Sequence, residues 1–211
     1  YLMYCLHHRV DVALCMCPTI NSQIMVKSHA PDSFVYNEHY NREHLLKFIT
    51  MFKALVEGNK AMHGLLVADD CNADRKMFCQ KEITDLFFNG RQYNIFTIFA
   101  LQYVMTFPPT LRTQVDYVFL FHEQSLQARR KLYENFGGMF PTYQDFSCVF
   151  DSCTGEHECM VIDNTRSGTL EETVFFFRAP FPCPGCTCRE CCKRITAAGS
   201  SPYADMPFLL C

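Results

Sequence analysis

No glycine in this 211-residue chain is followed by lysine, so it lacks the glycine-rich loop ending in Gly-Lys-Ser/Thr that cradles nucleotide phosphates. It also has no apolar run of the roughly 18 to 20 residues that a membrane-spanning helix needs. No basic-then-apolar leader with a small-residue cleavage site opens it. A protein that neither crosses a membrane nor is secreted is expected. Excess positive charge is missing too: 19 Lys and Arg against 22 Asp and Glu give a formal net charge of -3, which argues against coating nucleic acid by charge alone. No internal repeat of roughly 20 to 50 residues is visible.

What is present is ordinary for a globular chain, 49% hydrophobic and 19% charged, enough for one filled core domain plus a tail. The 14 cysteines do not read as a disulfide scaffold, because such scaffolds are small and loop-rich whereas this chain carries long apolar periodic segments. Reduced thiols in a cytosolic setting fit better, with Cys15, Cys17, Cys148 and Cys159 taken as small core residues.

Tyr1 to His8 reads as the last turns of a helix. Val10 to Cys17 is a strand closed by Pro18, and Pro18-Thr19 starts a loop. Ser33 to Tyr36 is extended. Arg42 to Val56 is a helix ended by Gly58-Asn59 as a left-handed cap. Gly64 to Asp69 is a strand, Asp74 to Phe88 a helix, and Asn94 to Leu101 a strand ending in Gln102. Pro108-Pro109 breaks the chain, Val115 to Phe121 is a strand, and Glu123 to Phe136 is a helix. Thr142 to Phe150 is a short helix, and two strands, Cys159 to Asp163 and Glu172 to Phe177, follow. This alternation predicts an α/β fold with a mostly parallel sheet and helices on both faces. Composition shifts at Pro180, dividing a core at 1–179 from a Cys-rich, flexible tail at 180–211.

The chemistry centres on Gly64-Leu65-Leu66-Val67-Ala68-Asp69-Asp70, an apolar run ending in two carboxylates. It reads as a Walker B strand, in which one acid holds the water shell of nucleotide-bound Mg²⁺ and its neighbour orients or deprotonates the attacking water. In open α/β sheets ligands gather at the carboxyl ends of strands, which adds Gln102 to the set. The plainer alternative is that Asp70 only begins the following helix. Arg91 and Arg112 flank the Gln102 strand as candidates for an arginine supplied across a subunit boundary. A solvated arginine, or an ion pair with a carboxylate such as Asp116, is the alternative for each.

Cys17-Pro18-Thr19, Pro31-Asp32, the Gly64–Asp70 run, Asn89-Gly90-Arg91, Ala100-Leu101-Gln102, Leu111-Arg112 with Asp116-Tyr117-Val118-Phe119, and Val161-Ile162-Asp163-Asn164, taken in this order, resemble the genome-packaging ATPases of nucleocytoplasmic large DNA viruses. These belong to the FtsK/HerA group of P-loop motors. The resemblance covers roughly residues 1 to 179. It implies a homo-oligomeric ring that uses ATP and Mg²⁺ to drive double-stranded DNA into a capsid, working with capsid or portal components in the host cytoplasm or the virion. On that template Asp69 is the Mg²⁺-associated acid, Asp70 the catalytic acid, Gln102 the sensor, and Arg112 or Arg91 the finger acting in trans. The chain departs from the pattern at Asp70, where the wider superfamily has Glu, and in the absent phosphate loop. Tyr1 to His8 then looks like the end of the helix that follows such a loop. An incomplete chain that alone hydrolyses ATP undetectably is the expectation.

In the tail, Cys183, Cys186, Cys188, Cys191 and Cys192 place five thiols within ten residues. Zinc held by Cys183, Cys186, Cys188 and Cys191 is one reading, although a closed four-ligand site normally draws its pairs from two separated loops. A flexible reduced tail or palmitoylation are the others. Two rival functions stand beside the motor: a degenerate ATPase-like interaction protein without enzymatic activity, and a Cys-rich zinc-binding module.

Overall fold

The computed structural model describes residues 9–28, 30–37, 39–71, 77–102 and 107–178. Its centre is a parallel four-stranded sheet in the order β2-β1-β3-β4, formed by β1 (Val12–Met16), β2 (Val35–Tyr36), β3 (Gly64–Asp69) and β4 (Ile95–Ala100). The register runs Val12 to Gly64 to Ile95 at one end and Met16 to Ala68 to Phe99 near the other. All strands therefore finish on one side, with Asp69 opposite Ala100.

Period-two alternation sorts the strands' side chains onto two faces. Leu14, Met16, Leu66, Ala68 and Ile95 pack with Leu45, Phe48, Ile49 and Phe52 of α2 (Arg42–Glu57) and with Ile83 and Leu86 of α3 (Lys81–Asn89). Ala13, Cys15, Cys17, Leu65 and Val67 face the other way, against Val26 of α1 (Ile20–Lys27). Helices on both faces of a parallel sheet are what the alternating pattern requires. Asn41 caps α2 by accepting from the His44 N–H at 3.1 Å, and Asn59 closes it with a positive φ of 52°. Two ion pairs, Arg42 with Glu82 and Lys53 with Asp85, fasten α2 to α3.

Beyond a turn of helix, α4 (Pro109–Arg112), lies a second sheet of three antiparallel strands, β5 (Tyr117–Leu120), β6 (Glu158–Asp163) and β7 (Val174–Arg178), in that order. Helices α5 (Leu126–Phe136) and α6 (Tyr143–Cys153) cover it through Leu132 and Phe136 of the first and Phe146 and Phe150 of the second, and the single turn α7 (Leu170–Thr173) leads into β7. Arg129 on α5 is buried and held by Ser147, Asp151 and the Glu123 carbonyl, with its guanidinium over the Phe150 ring.

Several expectations need correction. The last three strands form an antiparallel sheet instead of continuing the parallel alternation. The loop expected at Pro18-Thr19 is only the entry to α1. Pro108-Pro109 does not simply break the chain: Pro109 opens α4, because its fixed φ and missing N–H suit a first helical position. The helix expected from Asp74 begins at Lys81 after a 3₁₀ turn at Met77–Cys79, residues 72–76 lying outside the described set. The strand expected from Glu172 begins at Val174, since Thr169 and Glu172 form a capping box for α7. The Tyr1–His8 helix, the 179/180 boundary and the Cys183, Cys186, Cys188 and Cys191 zinc set also fall outside the described residues.

Candidate functional site

Two acids and an amide meet at the carboxyl end of the parallel sheet. Asp69 is the last residue of β3 and continues the Leu65, Val67 face toward Cys17. Asp70 then leaves the strand with φ 54°, a left-handed conformation that Asp tolerates better than most residues. The reversal aims its carboxylate sideways, where Gln102, two residues past β4, donates from Nε2 to Oδ1 at 2.7 Å. The register that sets Asp69 beside Ala100 brings the two strand ends within this reach. Thus Asp69, Asp70 and Gln102 are gathered at one strand end, as their positions after apolar runs suggested.

Cys71, which the sequence reading did not single out, holds the turn. It is buried, and its thiol donates to the Met16 carbonyl at 3.4 Å and to the Asp69 carbonyl at 3.5 Å, tying the acid loop to the neighbouring strand. Burial pushes the Cys71 thiol up to about 12, with the charges of Cys17, Asp69 and Asp70 adding to the effect. Cys17 is raised to about 11 by burial and then by Asp69. Both thiols are therefore neutral at physiological pH and add no negative charge beside the acids.

The two arginines part company. Arg91 lies in the turn before β4, at the opposite end of the sheet from Asp70, roughly 17 Å away along the strand. There it ion-pairs with Asp116, whose side chain is 8% exposed. Arg112 ends α4, half-buried, and donates from Nε at 3.2 Å and Nη2 at 2.8 Å to the Phe107 carbonyl. Burial lowers its pKa from the usual guanidinium value, and no carboxylate among the described residues pairs with it. Neither arginine contacts Asp69 or Asp70. Asp163, from the last of the quoted motifs, closes a turn by accepting from the Thr165 N–H and hydroxyl.

Two adjacent carboxylates suit Mg²⁺, which keeps several waters and takes one or two carboxylates together with substrate phosphates. Among the described residues no group of three or more His, Cys, Asp or Glu could enclose a metal ion.

Comparison with solved structures defines the class of fold. The genome packaging NTPase B204 from Sulfolobus turreted icosahedral virus 2, in complex with AMP, matches with a TM-score of 0.60 at 12% identity, over 86% of this chain and 89% of that one. The same protein in complex with ATP-γS matches equally, with a TM-score of 0.60. The chain thus has the α/β fold of a viral genome-packaging NTPase. No protein-family model matches it.

Among individual sequences, uncharacterized protein 015R of Frog virus 3 (isolate Goorha) is 34% identical over 180 residues, 82% of this chain and 54% of that protein. Uncharacterized protein 075L of Invertebrate iridescent virus 6 is 30% identical over 183 residues, 85% of this chain and 70% of its own length. An uncharacterized protein of Acanthamoeba polyphaga mimivirus is 30% identical over 190 residues and is matched over 66% of its length. This chain belongs to the family of viral proteins that includes 075L. It spans about half of 015R and about two thirds of the mimivirus protein.

Proposed function

We propose that the chain is the part of a viral DNA-packaging ATPase that carries the hydrolytic acids, within a homo-oligomeric ring that moves double-stranded DNA into a capsid. The observation that supports this most is the Asp69, Asp70, Gln102 cluster at the carboxyl end of a parallel sheet, in a fold shared with a packaging NTPase whose structures include complexes with AMP and ATP-γS.

In this reading Mg²⁺-ATP would supply the γ-phosphorus that water attacks, the bond to the β,γ-bridging oxygen breaking and ADP leaving as phosphate forms. Asp69 would hold the water shell of the Mg²⁺. Gln102 engages Oδ1 of Asp70 and fixes the carboxylate, which leaves Oδ2 to orient the attacking water and accept its proton. Gln102 is thus a positioning residue for Asp70 as well as the sensor of the family template. Arg112 is the stronger candidate for the arginine reaching a neighbouring subunit, because Arg91 is engaged by Asp116 and sits at the far end of the sheet. Contact with DNA is made through its phosphates, without base reading.

The test is ATP hydrolysis by the complete encoded protein, including any residues before Tyr1, with Mg²⁺ and with or without linear double-stranded DNA. Mg²⁺-dependent hydrolysis that rises several-fold with DNA is expected. No hydrolysis by an oligomeric, folded protein would leave the interaction-protein reading in its place.

A further inference from the structure

We propose that Cys71 is a positioning residue for Asp70: its buried thiol holds the turn that aims the acid, as one half of a clamp whose other half is Gln102. The inference rests on the hydrolytic reading of Asp70 and deepens it.

The turn is gripped from two sides. Toward β4, Gln102 donates from Nε2 to Asp70 Oδ1 at 2.7 Å. Toward β1, the Cys71 thiol lies 3.4 Å from the Met16 carbonyl and 3.5 Å from the Asp69 carbonyl. Met16 and Asp69 are the last residues of β1 and β3, so one sulfur spans two neighbouring strand ends. The acid between the two grips has φ 54°, a conformation that is costly for an L residue and persists only where its surroundings impose it.

The two halves are unequal. The Gln102 bond is exposed to solvent, where water competes for both partners and leaves little net gain. It orients a carboxylate, but the backbone turn needs a firmer hold. Cys71 is enclosed: it is 1% exposed and shares an apolar cluster with Leu66, Ala68, Met77 and Phe78. Its anchor, Met16, is fully buried and is itself fixed, because the Met16 sulfur accepts from the Asn41 N–H at 3.5 Å where α2 begins. A line of contacts thus runs from the start of α2 through Met16 and Cys71 to Asp70 and Gln102.

Sulfur suits this position. A thiol is a weak donor that behaves otherwise as a small apolar group, and its long hydrogen bonds let one S–H be shared between two carbonyls. A hydroxyl donates at roughly 2.7 to 2.8 Å and serves one of the two, while alanine serves neither. Positioning and plain core packing therefore rank the replacements in opposite orders. Serine puts a hydroxyl into an apolar cluster and destabilises the fold at least as much as alanine does. For holding the turn, serine is the better substitute.

The experiment compares Cys71→Ala and Cys71→Ser in the complete encoded protein, each alone and combined with Asp70→Asn, by kcat and KM for Mg²⁺-ATP and by urea midpoint. Glutamine-labelled NMR of the same proteins follows the Gln102 side-chain amide, with Asp70→Ala marking its signals when the bond to Asp70 is gone. Cys71→Ala should lower kcat by at least about 10-fold with KM changed less than about threefold, as expected when an acid is misplaced without loss of substrate binding. Cys71→Ser should recover most of that turnover although it is the less stable of the two. In the Asp70→Asn background neither should lower kcat further, since both act through Asp70. The Gln102 signals should move toward their Asp70→Ala positions in Cys71→Ala and stay near their original positions in Cys71→Ser. Turnover of Cys71→Ala within twofold of the unsubstituted protein, turnover that follows the order of stability, or a full further loss in the Asp70→Asn background would each overturn the proposal. Gln102 signals unmoved in Cys71→Ala overturn it whatever the turnover. If the unsubstituted, folded protein hydrolyses no ATP, the motor reading falls by itself and the Gln102 signals alone decide whether Cys71 positions Asp70.

Discussion

At the scale of single residues, backbone conformation and close packing decide what the site region tolerates. Asp70 sits at φ 54°, so Asn can replace it with little strain while a β-branched residue cannot. Gly64 begins the strand that carries the acids, and a Cβ there would lie 2.7 Å from two ring carbons of Phe52 and 3.0 Å from Phe48. Phe52 is fully buried and cannot swing aside, so Gly64→Ala should cost about 1 to 3 kcal/mol. The urea midpoint measures this; an unchanged midpoint would show that the aromatic pair is loosely packed. The two arginines should separate by assay. Arg91→Ala should lower stability by about 1 kcal/mol, because it strips a cation from the buried Asp116 carboxylate while Arg91 itself is largely exposed. Arg112→Ala should leave the urea midpoint nearly unchanged and lower ATP turnover of the complete protein. Equal effects of the two substitutions on both readouts would contradict their assignment.

Among elements, the α2–α3 pair carries the pH dependence. The Arg42 hydrogen bond holds the Glu82 carboxyl below its usual range. Burial pushes the Asp85 carboxyl up, but the bonds from Lys53, Asn89 and Tyr93 outweigh it and hold the group low. A carboxyl with a depressed native pKa stabilises the fold above its unfolded value and loses that contribution as pH falls through the native one. Stability should therefore be flat from pH 7 to about 5 and decline below about 4, and the decline should be shallower in the Glu82→Gln, Asp85→Asn double variant. An identical acid slope in the variant would place the acid sensitivity elsewhere. The elements also show what periodicity can reveal. α2 was legible because Leu45, Ile49 and Phe52 recur at helical spacing and are buried. α1 was not: Ile20, Ile24 and Met25 are exposed and only Val26 is buried, so its apolar residues do not mark a core face. Short apolar runs mark β5, β6 and β7 as strands but say nothing of their partners, which is why their antiparallel pairing emerges only in three dimensions.

For the whole molecule, the gathering of Asp69, Asp70 and Gln102 was legible because parallel strands end together and all three residues follow apolar runs. The engagement of Arg91 by Asp116 was one of three open readings, since those residues stand 25 positions apart and meet only through the arrangement of β4 and β5. Cys71 gave no sequence signal, because a buried thiol that ties a turn to a neighbouring strand looks like any small core residue. The fold joins these parts into one proposition: a carboxylate fixed by an amide at the carboxyl end of a parallel sheet. Its most direct test is the Mg²⁺-ATP hydrolysis rate of the complete protein against Asp70→Asn, with both shown to melt alike. The account predicts a loss in kcat of at least about 100-fold, the usual scale for removing a positioned base. Turnover within a few-fold of the unsubstituted protein would contradict it.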